Sequence, residues 1–145
     1  MLTPIIRAAM LVGTVSMGTL AMGTLAMGTL AMTDGALAQA AAPAKVAETS
    51  KGKTLVDAKG MTLYIFDKDS AGKSACNGTC ASNWPPLMVA AGASASGDWS
   101  IVTRDDGSKQ WAYKTKPLYT WVKDTKPGDV TGEGVANNTW HVAAP

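Results

Sequence analysis

The chain has 145 residues, 46% apolar and 17% charged, with 13 Lys and Arg against 11 Asp and Glu for a net charge of +2. That length sets one domain as the expectation, and a small net charge without blocks of like sign excludes a basic nucleic-acid face. The averages hide a division, because six of the eight Met fall in residues 1–40, whereas every Trp, Tyr and Phe, both Cys and the single His come later.

Residues 1–40 read as a signal peptide. Arg7 supplies the basic start, an apolar stretch runs from Ala8 to Met32, and Ala36-Leu37-Ala38 and Ala38-Gln39-Ala40 both offer small residues for cleavage. The pentad Met-Gly-Thr-Leu-Ala, begun at Met17, Met22 and Met27, lengthens that stretch. About 20 apolar residues can span a bilayer, but the interspersed Gly and Thr and the small-residue exit favour cleavage over an uncleaved anchor. No Cys stands at the processing site to carry a lipid. The product is therefore expected to be exported, periplasmic or extracellular, and soluble, with no stable membrane anchor after cleavage.

Residues 41–52, rich in Ala, Lys and Ser, read as a flexible lead-in, and 53–145 as one domain. Short apolar runs punctuated by turn residues follow at Thr54–Val56, Met61–Phe66, Trp99–Arg104, Lys109–Lys114, Leu118–Lys123 and Thr139–Val142. The Asp106-Gly107 step between the third and fourth is the strongest hairpin signal. A short helical turn is expected between Cys80 and Trp84, and Gly92–Gly97 reads as a loop. The fold class is mainly β: a small antiparallel sheet or sandwich with an internal pseudo-repeat.

That repeat is Leu63-Tyr64-Ile65-Phe66-Asp67-Lys68-Asp69-Ser70, which returns as Leu118-Tyr119-Thr120-Trp121-Val122-Lys123-Asp124-Thr125. In an extended strand Tyr64 and Phe66 share a face, as do Tyr119 and Trp121. Asp69 and Asp124 fall where the strands end and can accept turn N–H groups. A buried Tyr needs a partner for its hydroxyl, and the Asp of the other copy can supply it. Core aromatics with turn-capping carboxylates are the favoured reading, and an aromatic–carboxylate ligand surface the competing one.

Tyr-x-aromatic-x-x-Asp resembles the signature of a secreted-repeat, or predicted-lipoprotein, family named for its Yx(FWY)xxD motif. The likeness extends through Cys76-Asn77-Gly78-Thr79-Cys80, Trp84-Pro85-Pro86-Leu87, Gln110-Trp111 and Pro117-Leu118-Tyr119, over roughly residues 53–141. Members are often lipoproteins or carry several tandem units; this chain lacks the lipid-bearing Cys and reads as one unit. The resemblance implies no established activity. A loose association with alkane catabolism comes with it, and no residue here accounts for that chemistry.

Export into an oxidising compartment, and the turn-prone Asn77-Gly78-Thr79, favour a disulfide between Cys76 and Cys80. It clips a loop with no expected counterpart in the other half, with Trp84 packed over it. The alternative is a copper-binding or thiol-redox accessory protein using Cys76 and Cys80 with His141, since soft thiolates suit Cu(I). His141 alone reads as a hydrogen-bonded strand residue. Asp124, Asp129 and Glu133 lack EF-hand spacing, which leaves calcium a minor candidate. No catalytic triad or nucleotide motif occurs, and no cofactor is expected beyond that copper alternative. The leading expectation is a non-enzymatic binding or envelope-associated domain. Its partner would be a small molecule, a glycan or another envelope protein, with Trp84, Trp111 and Trp140 as candidate contacts.

Overall fold

A computed structural model describes residues 42–145; the expected signal peptide and its pentads lie outside them. Strand β1 (Lys45–Thr49) pairs antiparallel with β2 (Gly52–Val56), Lys45 opposite Val56 and Thr49 opposite Gly52. This corrects the flexible lead-in. Its side chains are exposed or half-buried and give no alternating signal, and pairing with β2 orders it. Thr54, Leu55 and Val56 of β2 are all buried. Gly52 takes φ +88° at the turn, where other residues are strained.

Strand β3 (Tyr64–Phe66) follows, then the helical turn α1 (Thr79–Asn83) expected beside the cysteines. Strands β4 (Trp99–Thr103) and β5 (Lys109–Tyr113) form the expected Asp-Gly hairpin, with Thr103 opposite Lys109. Asp106 Oδ1 accepts the Ser108 N–H at 2.9 Å inside its loop. β6 (Lys116–Pro117) extends this sheet. The turn α2 (Val135–Asn138) leads into β7 (Trp140–Val142), which pairs with β3.

Leu118–Lys123 is not a continuous strand. Tyr119 bridges Tyr64 and Pro86, after which the Thr120 and Val122 N–H groups bond the Pro85 and Asn83 carbonyls, and Asp124 N–H closes a turn on Trp121. The neighbouring chain there is a Pro-Pro segment, and Pro has no N–H to continue a ladder.

The hydrogen bonds repeat in matched pairs. Leu63 N–H bonds Leu55 O as Leu118 N–H bonds Trp111 O; Ala143 N–H bonds Leu63 O as Leu87 N–H bonds Leu118 O. Leu55 N–H bonds Ala143 O as Trp111 N–H bonds Leu87 O. Tyr64 and Tyr119 exchange N–H and C=O bonds at 2.8 and 3.0 Å, each being the other's counterpart. The two halves are therefore related by an approximate two-fold exchange. Each half closes with an exit segment, Pro86–Met88 or β7, that pairs with the motif segment of the other half.

Two buried clusters result. One joins Leu55, Leu63, Leu118 and Ala143; the other joins Tyr64, Cys76, Trp84, Tyr119 and Trp140. Burying large apolar side chains stabilises by about 1.5–3 kcal/mol each, and both halves contribute to each cluster.

Candidate functional site

The motif residues meet across the two-fold. Tyr64 Oη donates to Asp124 Oδ2 at 2.6 Å, and Tyr119 Oη donates to Asp69 Oδ2 at 2.7 Å. Each carboxylate spends its other oxygen on its own loop. Asp69 Oδ1 accepts Ala75 N–H at 2.7 Å, and Asp124 Oδ1 accepts Thr131 N–H at 3.0 Å. Both Tyr rings are fully buried. Burial, reinforced by the facing carboxylate, pushes both phenols far above the ordinary tyrosine range. Burial also raises the Asp69 carboxyl, against the Ala75 N–H and Tyr119 hydroxyl that hold it down. Phenols so placed are hydrogen-bond donors and have no accessible proton to give to a substrate.

The remaining motif aromatics extend this centre. Phe66 stacks on Trp140 at 4.2 Å, Trp140 on Trp84 at 3.7 Å, and Trp84 on Trp121 at 3.9 Å. Tyr64 and Tyr119 stand edge-on to Trp84 and Trp140, at 5.3 and 5.1 Å. Such pairs add about 0.5–1.5 kcal/mol each beyond their buried area. Trp84 and Trp140 are counterparts, each following the short helical turn of its half.

Trp84, Trp111 and Trp140, expected as ligand contacts, are instead buried, at 4%, 6% and 2% exposure. Trp84 and Trp140 belong to the tyrosine cluster, Trp111 stands edge-on to Trp99, and none of the three lines either of the two cavities described below. Trp84 does share a cluster with Cys76 and Cys80.

Cys76 and Cys80 form a disulfide, with their Cα atoms 5.2 Å apart. In that state neither sulfur is a thiolate, so the pair offers no soft ligand to a cation. His141 is engaged elsewhere: its Nδ1 lies 3.2 Å from Glu133 Oε1 and its Nε2 lies 3.1 Å from Asp67 Oδ2. The Glu133 bond, then Asp67, raise its pKa above the usual imidazole value. Asp124, Asp129 and Glu133 do not converge. Asp124 serves Tyr64 and Thr131, Asp129 serves Thr125 and Lys126, and Glu133 serves His141 and Val142. Among the described residues no cluster of three or more His, Cys, Asp or Glu is placed to hold a metal ion.

The disulfide loop has a counterpart after all. α2 occupies the place of α1, with Gly132 standing for Cys76 and Ala136 for Cys80. A Cβ on Gly132 would lie 2.8 Å from Trp84 Cη2 and 2.9 Å from the Tyr64 ring, so only glycine fits. Ala136, Asn137 and Asn138 take positive φ, a left-handed course that Asn tolerates and Ala resists.

Arg104, unflagged by any motif, is buried at 5% exposure. It donates to Ser74 Oγ at 2.9 Å, Gln110 Oε1 at 2.7 Å and Cys76 O at 2.5 Å. Ser74 in turn bonds the Tyr119 hydroxyl at 2.7 Å. The signal was compositional: Arg104 is the sole Arg after residue 7 in a chain otherwise using Lys, and Arg's planar fork suits a buried set of acceptors.

Two open cavities flank the β5–β6 turn. One, about 240 Å³, has Ile65, Leu118, Val142 and Ala143 as an apolar floor, Tyr113 as a wall, and Lys114 and Lys116 at its mouth. The other, about 210 Å³, is lined by Phe66, Asp67, Asp69, Ser70, Thr115 and Lys116 among others.

No curated protein and no solved structure matches the chain significantly. A family model described as a secreted repeat of unknown function matches it twice, over residues 45–88 and 100–144. The two matches coincide with the two halves related by exchange, which corrects the reading of the chain as one unit of the family, and no helix among the described residues is long and apolar enough to cross a membrane. The chain belongs to this secreted-repeat family and carries two copies of its repeat.

Proposed function

We propose that the protein is an exported, non-enzymatic binding module in which the Yx(FWY)xxD residues frame the fold and leave the surface to bind a partner. The observation that carries this reading is the buried exchange of Tyr64 with Asp124 and Tyr119 with Asp69. It consumes the hydroxyls and carboxylates that a catalytic role for the motif would need. Support also comes from the disulfide, which removes the thiols from acid–base and metal chemistry.

A thiol count with metal analysis on freshly isolated, exported protein tests it. No titratable thiol and no bound metal are expected. Two free thiols that disappear on adding Cu(I) would replace this reading with a copper-handling one.

A further inference from the structure

We infer that the cavity beside the β5–β6 turn is a binding site for a small carboxylate with an apolar tail, an inference that rests on the binding-module reading. Three observations meet there. The floor is apolar, made by Ile65, Leu118, Val142 and Ala143. The mouth is cationic. Lys114 Nζ stands 5.0 Å over the Tyr113 ring, and among the described residues neither Lys114 nor Lys116 lies within salt-bridge distance of a carboxylate. Lys116 is shared with the second cavity, whose wall includes Asp67 and Asp69, so Lys114 is the cation that belongs to this mouth alone. At about 240 Å³ the space is below the usual range of drug-sized pockets, roughly 300–1,000 Å³, and suits a small tail.

The third observation is a break in the internal symmetry. Ala143 and Ala144, which line this cavity, are the counterparts of Leu87 and Met88. Leu87 packs against the shared leucine cluster and Met88 stands half-exposed beside it, whereas Ala143 and Ala144 carry only a methyl each at the equivalent places. The turn differs as well. The first half achieves its positive φ with Gly60, but the second uses Lys114 and Thr115 at +47° and +69°. A two-residue turn of this kind prefers Asn-Gly, and strained backbone of this sort gathers at ligand sites. The open floor and the strained, cation-bearing turn fall at the same place. An anionic head at Lys114 with its tail on Ile65 and Val142 satisfies both.

Calorimetry and chemical-shift mapping on the exported protein test this with phenylpropionate, its neutral analogue phenylpropanol and the cationic phenylpropylamine. Phenylpropionate is expected to bind best and to shift Ile65, Tyr113 and Val142, with phenylpropylamine not binding. Lys114→Asn suits the left-handed turn better than Lys does and keeps the fold. It should weaken phenylpropionate about fivefold and leave phenylpropanol unchanged. Ala144→Met, which restores the other half's side chain, should abolish both. Equal affinity for all three probes, or binding that survives Ala144→Met, overturns the proposal. So does retention on phosphatidylglycerol vesicles without phenylpropionate binding, which would assign the lysines to a membrane surface. Failure to bind any probe by protein without free thiols overturns the ligand class alone; free thiols that take up Cu(I) overturn the binding-module reading beneath it.

Discussion

Removing the Tyr64 hydroxyl tests the exchanged tyrosine–carboxylate pairs directly. Tyr64→Phe keeps the ring that stands edge-on to Trp84 and deletes one oxygen. That oxygen donates to Asp124 Oδ2 at 2.6 Å and accepts the Gly132 N–H at 3.2 Å, with Asp124 only 7% exposed. A hydrogen bond to a charged group contributes about 1.5–3 kcal/mol, and a buried acceptor left without a partner adds to the loss. A destabilisation of about 2 kcal/mol follows, or roughly 8–16 °C in Tm for a domain of this size. Tyr119→Phe should cost less, about 1 kcal/mol, because Asp69 is half-buried and within reach of water, and Ser74 keeps its bond from Arg104. Urea unfolding followed by Trp fluorescence measures both, with Trp84 and Trp140 stacked at the centre as reporters. A double-mutant cycle of Tyr64→Phe with Asp124→Ala should show coupling of about 1.5–3 kcal/mol. The same-copy combination with Asp69→Ala shares no hydrogen bond and should be additive within about 0.5 kcal/mol. Coupling within the copy but not across copies would refute the reasoning.

Gly132→Ala should destabilise by at least 1–3 kcal/mol, roughly the range for overpacking, because its Cβ meets Trp84 and Tyr64 under 3 Å, and calorimetric Tm reads the loss. Replacing Cys76 and Cys80 together by Ala should cost about 2 kcal/mol from the short closed loop and leave the circular dichroism spectrum native. The second half holds the equivalent turn with Gly132 and Ala136 and no bridge, so a collapsed spectrum would contradict that equivalence. His141 is raised above its ordinary value by Glu133 and then Asp67. Its stabilisation is therefore complete below the unfolded value of about 6.5 and is lost as pH rises through the higher folded value. His141→Gln should flatten that decline in a series of denaturant midpoints against pH; an unchanged slope would remove His141 from the account.

The sequence disclosed what local chemistry writes plainly. Asp106-Gly107 between alternating runs announced the β4–β5 hairpin, and the twice-written Tyr-x-aromatic-x-x-Asp announced the pairing of each Tyr with the other copy's Asp. The helical turn beside Cys80 was legible from the same reasoning. Strand β1 was not, because its Lys-Val-Ala-Glu-Thr run is exposed or half-buried throughout and carries no buried alternation to read. The equivalence of Trp84 and Trp140 was hidden as well: Trp84-Pro85-Pro86 and Trp140-His141-Val142 share one residue, too little for a pattern. Arg104 escaped because its partners, Ser74, Gln110 and the Cys76 carbonyl, are assembled only by tertiary structure. The cavity rests on what Ala143 and Ala144 lack compared with Leu87 and Met88, and an absence of bulk becomes visible only once the halves are superposed.

The crossed exit segments set a rule of parity. Pro86–Met88 completes the motif segment of the second copy, and β7 completes that of the first, so a solitary copy presents an unfilled slot and an unplaced strand together. Residues 45–88 released as a fragment would satisfy both only by finding a twin, and a chain with an odd number of copies would carry one sticky remainder. Even numbers of copies, or odd ones joined through a second chain, are the self-sufficient arrangements. On this view duplication is a condition for one repeat to have an inside at all.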